Sequence, residues 1–448
     1  MQSEEVRIET LAYGGDGVGH LKDGRAVFVP LTVPGELIEV DITQSKDRWA
    51  KGKAVKIIEA SANRVQPPCM EACAGTCGGC PWAHVAYEEQ LRWKRQAVVD
   101  ALTRTGKMDA GFVEELVRPC IPSKKQWNYR NKIELEVGQD VAGRFTLGSH
   151  APAGGFNPLA SCQLIAKKFT KAPKALTGAL RFLQQGENLG IERVGLRVSN
   201  RTNDAELAIW TRTGRFPRAH AAKILGQAMP VKKGVITRVL LKDDSKTKAR
   251  KVTGTECLAG KGHWTEEIDG RVMKLSAPSF FQVNTTGAET LVKLVMEGLK
   301  PDGSDIALDL YSGAGTFTLP LAAAAGDVVA VESAGSSVRD LRRNLEGNEL
   351  DADVIGGDVG RELPELGYAD VAVVDPPRAG LGPEALKALL GTGARRIAYV
   401  SCDPQTLARD LKAVREDGRY SIMSVQPVDL FPQTYHVENV VILAKIGK

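Results

Sequence analysis

Apolar and polar residues alternate in short runs along the first sixty positions of the chain. The runs VRIETLAY, RAVFVPL, LIEVDITQ and KAVKIIEA are separated by the turn-forming segments GGDGVGHLKDG and TVPGE. Alternation with a period of two is typical of half-buried strands, and short strands joined by such turns favour a small barrel. Residues 1–60 are therefore predicted to form an N-terminal, OB-like β-barrel.

The pattern changes after residue 60. The segment EEQLRWKRQAVVDALTRTG has apolar residues at helical spacing and ends in a glycine, which commonly terminates a helix. From about residue 127, strand-like segments such as NKIELEV and AELAIWTR alternate with helix-like segments such as FPRAHAAKILGQAM. We interpret residues 61–275 as a central α+β region.

Continuous apolar runs recur in the last part of the chain, namely IALDLYS, VVAVES, ADVAVVD and RIAYVSC. Such runs, bounded by turn residues, are typical of buried parallel strands. The segments SSVRDLRRNLEGN, PEALKALLG and PQTLARDLKAVRED would supply crossover helices between them. Residues 276–448 are thus predicted to form a doubly wound α/β domain, and the whole chain a multidomain α/β protein.

The composition is ordinary for a soluble globular protein, with 43% hydrophobic and 25% charged residues among 448. The N-terminus MQSEEVRIET is acidic and polar, unlike a secretory signal, and no run of about eighteen apolar residues occurs. We therefore expect a cytoplasmic protein that does not contact membranes. A net charge of +5, from 59 basic and 54 acidic residues, permits a nucleic-acid partner without requiring one.

A ligand-binding turn is predicted in IALDLYSGAGTFTLPLA. Gly313 and Gly315 lie between a strand and a helix, where glycines let the backbone approach a nucleotide-like ligand, and Asp309 can reach its polar groups. A dinucleotide fingerprint would have a third glycine where this chain has Thr318. Glu332 ends the next strand about 20 residues downstream, where an acid can accept hydrogen bonds from both ribose hydroxyls. This combination favours S-adenosylmethionine over a dinucleotide.

A further acid, Asp358, ends the run ADVIGGD. It could contact an adenine ring or be a solvated loop acid, and the sequence leaves both open. The motifs VVDPPRAGL, around Asp375, and YVSCDPQTLARDL, around Cys402, also follow strands. Ligands of open α/β sheets bind at the carboxyl ends of strands, so both motifs are expected to face the cofactor. Arg378 stands where methyltransferases of exocyclic amines carry an aromatic residue, which disfavours amine methylation.

A cysteine beside a methyl donor suits methylation at carbon 5 of uracil. That carbon is a poor nucleophile until a thiolate adds to carbon 6, and a base must later remove the proton from carbon 5. Cys402 is the candidate nucleophile, and Glu438, in QTYHVENVVILAKI, is the candidate base. The alternatives are a buried structural thiol and a salt-bridged surface acid. His436 could orient the base or satisfy a local hydrogen bond.

The segments DLYSGAGTFTLPLA, DPPRAG, SCDPQTLARDL, HVENVVIL, SFFQVN and NYRNKIEL resemble the bacterial RNA uracil-5-methyltransferase family, specifically its 23S ribosomal RNA branch. The N-terminal module resembles a TRAM domain. The resemblance implies a class I, Rossmann-like methyltransferase domain, S-adenosylmethionine as cofactor, Cys402 as nucleophile and Glu438 as base. The positions predicted to contact the cofactor or the base are Gln282, Asp309, Tyr311, Gly313, Gly315, Glu332, Asp358 and Asp375.

Four cysteines are clustered in CMEACAGTCGGC. Thiolates at such spacing ligate either zinc or iron-sulfur clusters, and C-x3-C-x2-C within it is also the spacing of radical S-adenosylmethionine enzymes. The family resemblance implies a 4Fe-4S cluster, held by three clustered cysteines and a distant fourth. The first ligand is either Cys69 or Cys73, and we prefer Cys69. The predicted ligands are Cys69, Cys77, Cys80 and Cys162.

Structured RNA, 23S ribosomal RNA above all, is the expected partner, and the protein is expected to act as a monomer. The alternatives are a transfer RNA methyltransferase and an RNA-binding protein with a degenerate enzyme domain. Three basic clusters could neutralise phosphates or be solvated surface. They are Lys124, Lys125, Arg130 and Lys132; Lys167, Lys168, Lys171 and Lys174; and Lys246, Lys248, Arg250 and Lys251.

Overall fold

The computed structural model describes residues 3–152, 154–229, 234–244 and 250–447. These residues form a closed barrel, two seven-stranded sheets and a two-stranded hairpin. No helix among them is long and apolar enough to cross a membrane. Lys246 and Lys248 of the third basic cluster lie outside the described residues.

The predicted N-terminal barrel is confirmed. Its five strands close in the order β1-β2-β3-β5-β4 around a core that includes Val6, Ile8 and Val27. Gly19 lets two strands cross closely, because an added Cβ would lie 2.3 Å from the backbone oxygen of Arg7. The strands are β1 (Ser3–Leu11), β2 (Gly17–His20), β3 (Ala26–Val29), β4 (Leu37–Ser45) and β5 (Trp49–Glu59).

Three helices follow the barrel: α1 (Met70–Cys73), α2 (Tyr87–Arg104) and α3 (Ala110–Leu116). The long helix predicted around EEQLRWKRQAVVDALTRTG is therefore confirmed. Its apolar residues Val98 and Leu102 do not pack on the central sheet, however, and join the core of the C-terminal domain instead. The stretch predicted as one central region thus contributes to two cores.

The central α+β architecture is confirmed as a seven-stranded sheet of order β12-β11-β10-β9-β6-β7-β8. Neighbouring strands are antiparallel except for the parallel pair β10 and β11. Helices α4 and α5 cover one face through Leu176, Leu180 and Leu225. The elements are β6 (Lys132–Gln139), β7 (Phe145–His150), β8 (Phe156–Pro158), α4 (Ala172–Gln184), β9 (Ile191–Val198), β10 (Ala205–Arg212), α5 (Arg218–Ala228), β11 (Val235–Asp243) and β12 (Arg250–Ala259).

The C-terminal domain is the predicted doubly wound α/β domain, preceded by a hairpin of β13 (Trp264–Ile268) and β14 (Arg271–Leu275) that packs into its core. The predicted apolar runs are its strands, and the three predicted crossover helices are α8, α10 and α11. The elements are α6 (Thr285–Leu299), β15 (Ile306–Leu310), α7 (Thr318–Ala322), β16 (Asp327–Glu332), α8 (Gly335–Gly347), β17 (Asp353–Gly356), α9 (Val359–Leu366), β18 (Val371–Val374), α10 (Pro383–Gly391), β19 (Arg396–Ser401), α11 (Pro404–Asp417), β20 (Tyr420–Val428) and β21 (Glu438–Lys445).

The strand order of this sheet is β17-β16-β15-β18-β19-β21-β20. The first five strands are parallel, as predicted, but β21 runs antiparallel to both of its neighbours. The reversal was not predicted from the sequence. Ser401, at the end of β19, pairs with Asn439, so the first residue of β21, Glu438, lies at the carboxyl edge of the parallel strands.

A buried ion pair joins α2 to the segment before β21. Lys94 donates to Asp429 at 2.5 Å, and the Tyr87 hydroxyl donates to the other oxygen of Asp429 at 2.8 Å. Both charged side chains are completely buried. The pair therefore holds the helix that follows the barrel against the chain that leads into the last strand.

We expect Lys94→Met to lower the free energy of unfolding by about 3–5 kcal/mol, because it leaves the Asp429 charge buried without its partner. Chemical denaturation followed by tryptophan fluorescence would measure this. Lys412→Met is the matched control, since Lys412 lies 3.6 Å from Glu416 in an exposed pair on α11. There the expected cost is about 0–1 kcal/mol, and equal costs for the two variants would contradict the prediction.

Candidate active site

The turn after β15 has the tight geometry that its glycines predicted. Gly313 and Gly315 have φ values of 55° and 103°, a region that favours glycine. An added Cβ at Gly315 would lie 2.4 Å from a methyl carbon of Leu319, whereas one at Gly313 would meet nothing within 4 Å. The backbone is thus packed on one side of the turn and borders open space on the other.

Glu332, the last residue of β16, is fixed beside this turn. One of its carboxylate oxygens accepts from the Gly313 backbone nitrogen at 2.9 Å, and the other accepts from the Ala334 nitrogen at 2.6 Å. The carboxylate is therefore oriented before any ligand arrives, and it remains partly exposed to the same open space.

Asp309 lies at the base of the turn and is fully buried. Its Oδ2 accepts from the Thr318 hydroxyl at 2.5 Å, but its Oδ1 has no partner among the described residues. Burial is the main reason that the pKa of Asp309 is raised to about 7. Because an unpaired buried oxygen is costly, this atom fits a ligand that brings its own hydrogen-bond donor. The sequence showed Thr318 only as the residue that replaces the third glycine of a dinucleotide fingerprint. In the structure its hydroxyl orients the Asp309 carboxyl group.

The other predicted cofactor positions surround the same edge. Gln282 is buried in the turn before α6, where its backbone oxygen accepts from the Asn131 side chain at 2.9 Å. Tyr311 has a positive φ of 63°, and its pKa is raised by burial and then by Asp358. Asp358 is exposed and caps α9 by accepting from the Gly360 nitrogen at 3.1 Å. This capping hydrogen bond explains why an acid stands at position 358 even if Asp358 contacts no ligand. A contact of Asp358 with the cofactor therefore stays a prediction.

Cys402 directly follows the last residue of β19, and α11 begins two residues later in the chain. Asp403 is the N-cap of this helix and accepts from the nitrogens of Gln405 and Thr406 at 2.9 and 3.2 Å, while Pro404 takes the first helical position. Both residue types are favoured at those positions. The SCDP motif thus places a half-buried thiol between a strand end and a helix N-terminus.

The candidate nucleophile and base influence each other electrostatically. Burial raises the pKa of Cys402 to about 11, with Glu438 as the next cause and Arg378 opposing it. Burial raises the pKa of Glu438 to about 8, followed by the effect of Asp375, and Arg378 again opposes. The pKa of Asp375 is itself raised to about 7 by burial and then by Asp309. The structure therefore brings the thiol, one guanidinium and three carboxyl groups, two of them buried and that of Asp375 half-buried, to one edge of the sheet.

His436 faces Arg378. Its two ring nitrogens lie 3.4 and 3.3 Å from the Arg378 Nη2 atom, and burial followed by Arg378 lowers the pKa of His436 to about 4. The imidazole is therefore neutral at physiological pH. Of the two interpretations left open by the sequence, a local hydrogen bond fits this arrangement.

The N-terminal barrel also reaches the site, which the sequence did not predict. The Tyr13 hydroxyl donates to the backbone oxygen of Cys402 at 3.3 Å, and the Tyr13 ring lies edge-on to Tyr435 with centroids 5.6 Å apart. Trp82 secures the same barrel loop by donating from Nε1 to the Gly15 oxygen at 3.0 Å. No pattern in the sequence links residues so far apart along the chain.

The cysteine cluster lies between the barrel and the central sheet. Cys69, Cys80 and Cys162 share a small core with Tyr129 and Leu164. The central region that follows is a mostly antiparallel sheet, so the βα barrel that a radical enzyme would need is not found in the described part of the chain.

The thiols of Cys69, Cys77, Cys80 and the distant Cys162 are close enough to affect one another. The pKa of Cys80 is raised by burial, with further increases from Cys162, Cys77 and Cys69, and the neighbouring Arg130 opposes this rise. Within the described ranges, no three His, Cys, Asp or Glu residues are placed to hold a single metal ion. The arrangement thus gathers the thiols around one region without converging them on one ion.

Cys73 points away from this group. It is exposed, its thiol donates to the Pro67 oxygen at 3.3 Å, and it accepts from the Gln66 side chain at 3.3 Å. Cys77, in contrast, accepts from the Ser149 hydroxyl at 3.2 Å on the side of the central sheet.

The strand order, the glycine turn after the first strand and the acid at the end of the second define a class I methyltransferase fold. Residues 264–355 and 362–446 match the family model described as tRNA (Uracil-5-)-methyltransferase, and residues 2–55 match the TRAM domain. An uncharacterized RNA methyltransferase of Thermosynechococcus vestitus is 35% identical to the chain, with 98% of the chain and 97% of that protein covered. An uncharacterized RNA methyltransferase of Synechocystis is 33% identical to the chain, with 99% of the chain and 96% of that protein covered.

Among solved structures, the Pyrococcus abyssi tRNA (uracil-54, C5)-methyltransferase in complex with S-adenosyl-L-homocysteine is similar, with a TM-score of 0.75 and 26% identity. The similarity covers 98% of this chain and 100% of that one. The chain belongs to the RNA (uracil-5-)-methyltransferase family.

The pKa values at the site predict how fast Cys402 is alkylated. Glu438→Gln should speed the reaction with iodoacetamide at pH values above about 8, because the carboxylate that disfavours the thiolate is gone. Below that pH the variant and the wild type should converge, since Glu438 is then protonated. Arg378→Gln should slow the reaction, because its cation favours the thiolate.

Mass spectrometry of the Cys402 peptide over a range of pH would measure these rates. Cys257, which is exposed, serves as the internal reference and should react equally in all three proteins. An unchanged or slower rate in Glu438→Gln above pH 8 would show that the two groups are not coupled.

Proposed function

We propose that this protein transfers a methyl group from S-adenosylmethionine to carbon 5 of a uracil in RNA, with Cys402 as covalent nucleophile and Glu438 as base. The observation that carries the proposal is the position of these two residues at one edge of the sheet, where Glu438 raises the pKa of Cys402 and Arg378 lowers the pKa of both. The thiol can add to carbon 6 of a uracil, and the carboxyl group can later accept the proton of carbon 5.

In the first step, the Cys402 thiolate forms a bond to carbon 6 of the uracil, and the electron pair of the ring double bond moves toward carbon 5. Carbon 5 would then bond to the methyl carbon that S-adenosylmethionine supplies, the bond between this carbon and the sulfonium sulfur would break, and S-adenosylhomocysteine would leave with that electron pair. Glu438 then accepts the proton of carbon 5, the ring double bond forms again, and the bond between carbon 6 and Cys402 breaks.

The buried carboxyl groups support a cationic methyl donor. Asp309, Asp375 and Glu438 all have raised pKa values, so their negative charges are disfavoured in the free site. A cation bound at the same edge would favour the ionised forms, including the Glu438 carboxylate that acts as base. The unpartnered Oδ1 of Asp309 would accept from the ligand, and Glu332 would accept from its ribose hydroxyls.

The residues proposed to hold S-adenosylmethionine are therefore those at the carboxyl ends of the first strands and in the turn before α6. They are Gln282, Asp309, Tyr311, Gly313, Gly315, Glu332, Asp358 and Asp375.

We propose ribosomal RNA, 23S in particular, as the substrate, and the family resemblance of the cysteine cluster supports it. The Pyrococcus protein favours transfer RNA as the second candidate, since its name specifies that substrate and the similarity extends over the whole chain, barrel included. The presence of the N-terminal barrel therefore does not distinguish a ribosomal RNA substrate from a transfer RNA substrate. A cytoplasmic monomer remains the expectation from the sequence.

Mapping 5-methyluridine in ribosomal and transfer RNA from a strain that lacks the gene would test both candidates. We expect one 5-methyluridine of 23S ribosomal RNA to disappear and to return with the wild-type gene but not with Cys402→Ala. A loss confined to transfer RNA would show that transfer RNA, and not ribosomal RNA, is the substrate. Unchanged 5-methyluridine in both kinds of RNA would contradict the proposed function.

Glu438→Gln should accumulate a covalent protein–RNA complex that survives denaturation and carries label from the methyl donor. Without the base, addition of Cys402 and methyl transfer can proceed, but elimination cannot. Denaturing electrophoresis with methyl-labelled donor would detect the complex.

The double variant Cys402→Ala/Glu438→Gln should form no complex, and Glu416→Gln, at an exposed acid on α11, should turn over normally. Normal turnover by Glu438→Gln would remove Glu438 from the base role. A complex that persists without Cys402 would remove the cysteine as nucleophile.

We further propose that Cys69, Cys77, Cys80 and Cys162 hold a 4Fe-4S cluster. The mutual effects of their thiols on pKa support this set, as does Arg130, whose charge favours thiolates. Such a cluster would supply a structural link between the barrel side and the central sheet.

Protein purified without oxygen should contain about four irons per chain and absorb in the visible range. Cys69→Ser should lose most of this iron, whereas Cys73→Ser should keep it because that thiol points toward Pro67. Iron analysis and absorption spectra would measure both, with Cys257→Ser as control. Stoichiometric zinc without iron would contradict the iron-sulfur cluster. Iron loss in Cys73→Ser but not in Cys69→Ser would show that Cys73, and not Cys69, is the first ligand.

A further inference from the structure

Two segments of the central region contain cations but no acids. Residues 116–133 and residues 141–186 have no Asp or Glu, in a chain that has 54 acidic residues and a net charge of only +5. The positive charge of the protein is therefore concentrated locally, although its total is small. Such a concentration produces a field that attracts a polyanion.

The fold places these two segments side by side. The Asn128 backbone nitrogen donates to the Gln163 oxygen at 2.9 Å, and its side chain donates to the oxygens of Gln163 and Ile165 at 3.0 and 2.9 Å. Arg130 continues the pairing, since its nitrogen donates to the Leu164 oxygen at 2.8 Å and it forms a parallel bridge with Ile165. The two acid-free segments thus lie side by side in the fold.

Six exposed lysines flank this pairing, and we call them the lysine strip. They are Lys124, Lys125, Lys167, Lys168, Lys171 and Lys174.

The lysine strip differs from the cations at the borders of the two segments. Lys132 pairs with Glu134 at 2.7 Å, and Arg144 and Arg181 both pair with Asp140, at 3.0 and 2.9 Å. In the ranges that the structure describes, the six lysines form no ion pair within 4.0 Å. The charges of Lys132, Arg144 and Arg181 are thus neutralised by ion pairs. The strip forms none among the described residues, although Lys124 lies close enough to Glu289 to help lower its pKa.

The strip adjoins the loop that leads into the candidate active site. Gln433 donates from its side chain to the Gln126 oxygen at 3.3 Å, and the Tyr129 hydroxyl donates to the Pro432 oxygen at 3.2 Å. These partners lie a few residues before Glu438. The hydroxyl of Ser123 accepts from the Asn284 side chain at 3.1 Å, which ties the start of the strip to the turn that contains Gln282.

We propose that the lysine strip binds the phosphates of the single-stranded RNA that flanks the target uracil, an inference that rests on the proposed function. The uracil must leave its stack to reach Cys402, which costs least in a single-stranded segment, and the backbone of the nucleotides beside it then lies near the site. Exposed lysines without internal partners suit such a backbone, because they neutralise phosphates without reading the base sequence.

The test compares two variants with wild type: Lys167, Lys168, Lys171 and Lys174 changed together to Gln, and Lys124→Gln/Lys125→Gln. The probe is a fluorescent oligouridine of about 20 nucleotides, with Kd measured by anisotropy between about 50 mM and about 200 mM salt. The four-lysine variant should bind about tenfold or more weakly at low salt. The slope of log Kd against log salt should fall by about 0.7 for each phosphate that the variant no longer neutralises.

The matched control changes four lysines on other helices to Gln, namely Lys223, Lys293, Lys387 and Lys412. Its affinity and salt slope should equal those of the wild type. Strip variants that behave like this control would overturn the proposal. Competition by duplex DNA of equal length that is as strong as competition by the unlabelled RNA would also overturn it, since the strip would then bind any polyanion.

A methylation assay separates this inference from the proposed function. On RNA from the strain that lacks the gene, the strip variants should have a higher KM and an unchanged kcat, because their chemistry is intact. A lower kcat at unchanged KM would overturn the binding role. If the wild type itself methylates no RNA, the proposed function fails, and the anisotropy comparison still decides whether the strip binds RNA.

Discussion

The reversed direction of β21 is the constraint on which the site depends. A strand that continued the parallel pattern would enter the sheet at its amino edge, and its first residue would lie far from the ends of β15, β18 and β19. Because β21 instead runs antiparallel beside β19, its first residue, Glu438, lies one position from the partner of Ser401. The buried pair of Lys94 and Asp429 holds the chain in place immediately before this entry.

This geometry also accounts for the unusual titration of the site. Asp309, Asp375 and Glu438 come from three different strands that end or begin at one edge, and none of them forms an ion pair among the described residues. Burial raises the pKa of Asp309 and Asp375 to about 7 and that of Glu438 to about 8, so each of them is partly protonated near neutral pH. Under the proposed function, the binding of a cationic methyl donor at this edge and the ionisation of Glu438 would be linked, because a nearby cation favours the carboxylate.

Much of this arrangement could be predicted from local patterns. The apolar runs located the parallel strands, and the glycines at positions 313 and 315 located the turn, because both features depend on neighbours in the sequence. The reversal of β21 depends on which strands it joins, and its continuous apolar run has the same pattern in either direction. The packing of α2 on the C-terminal sheet is likewise set by tertiary contacts.

The contact from Tyr13 to Cys402 has a consequence for how the protein is made. The two residues are separated by 389 positions, so the barrel is complete on the ribosome long before the strand end that its loop must hold has been synthesised. Domains generally fold as units during synthesis, and contacts that span most of a chain close last. Cys402 therefore acquires its contact with the barrel only after the last part of the chain has been synthesised and has docked on the barrel loop.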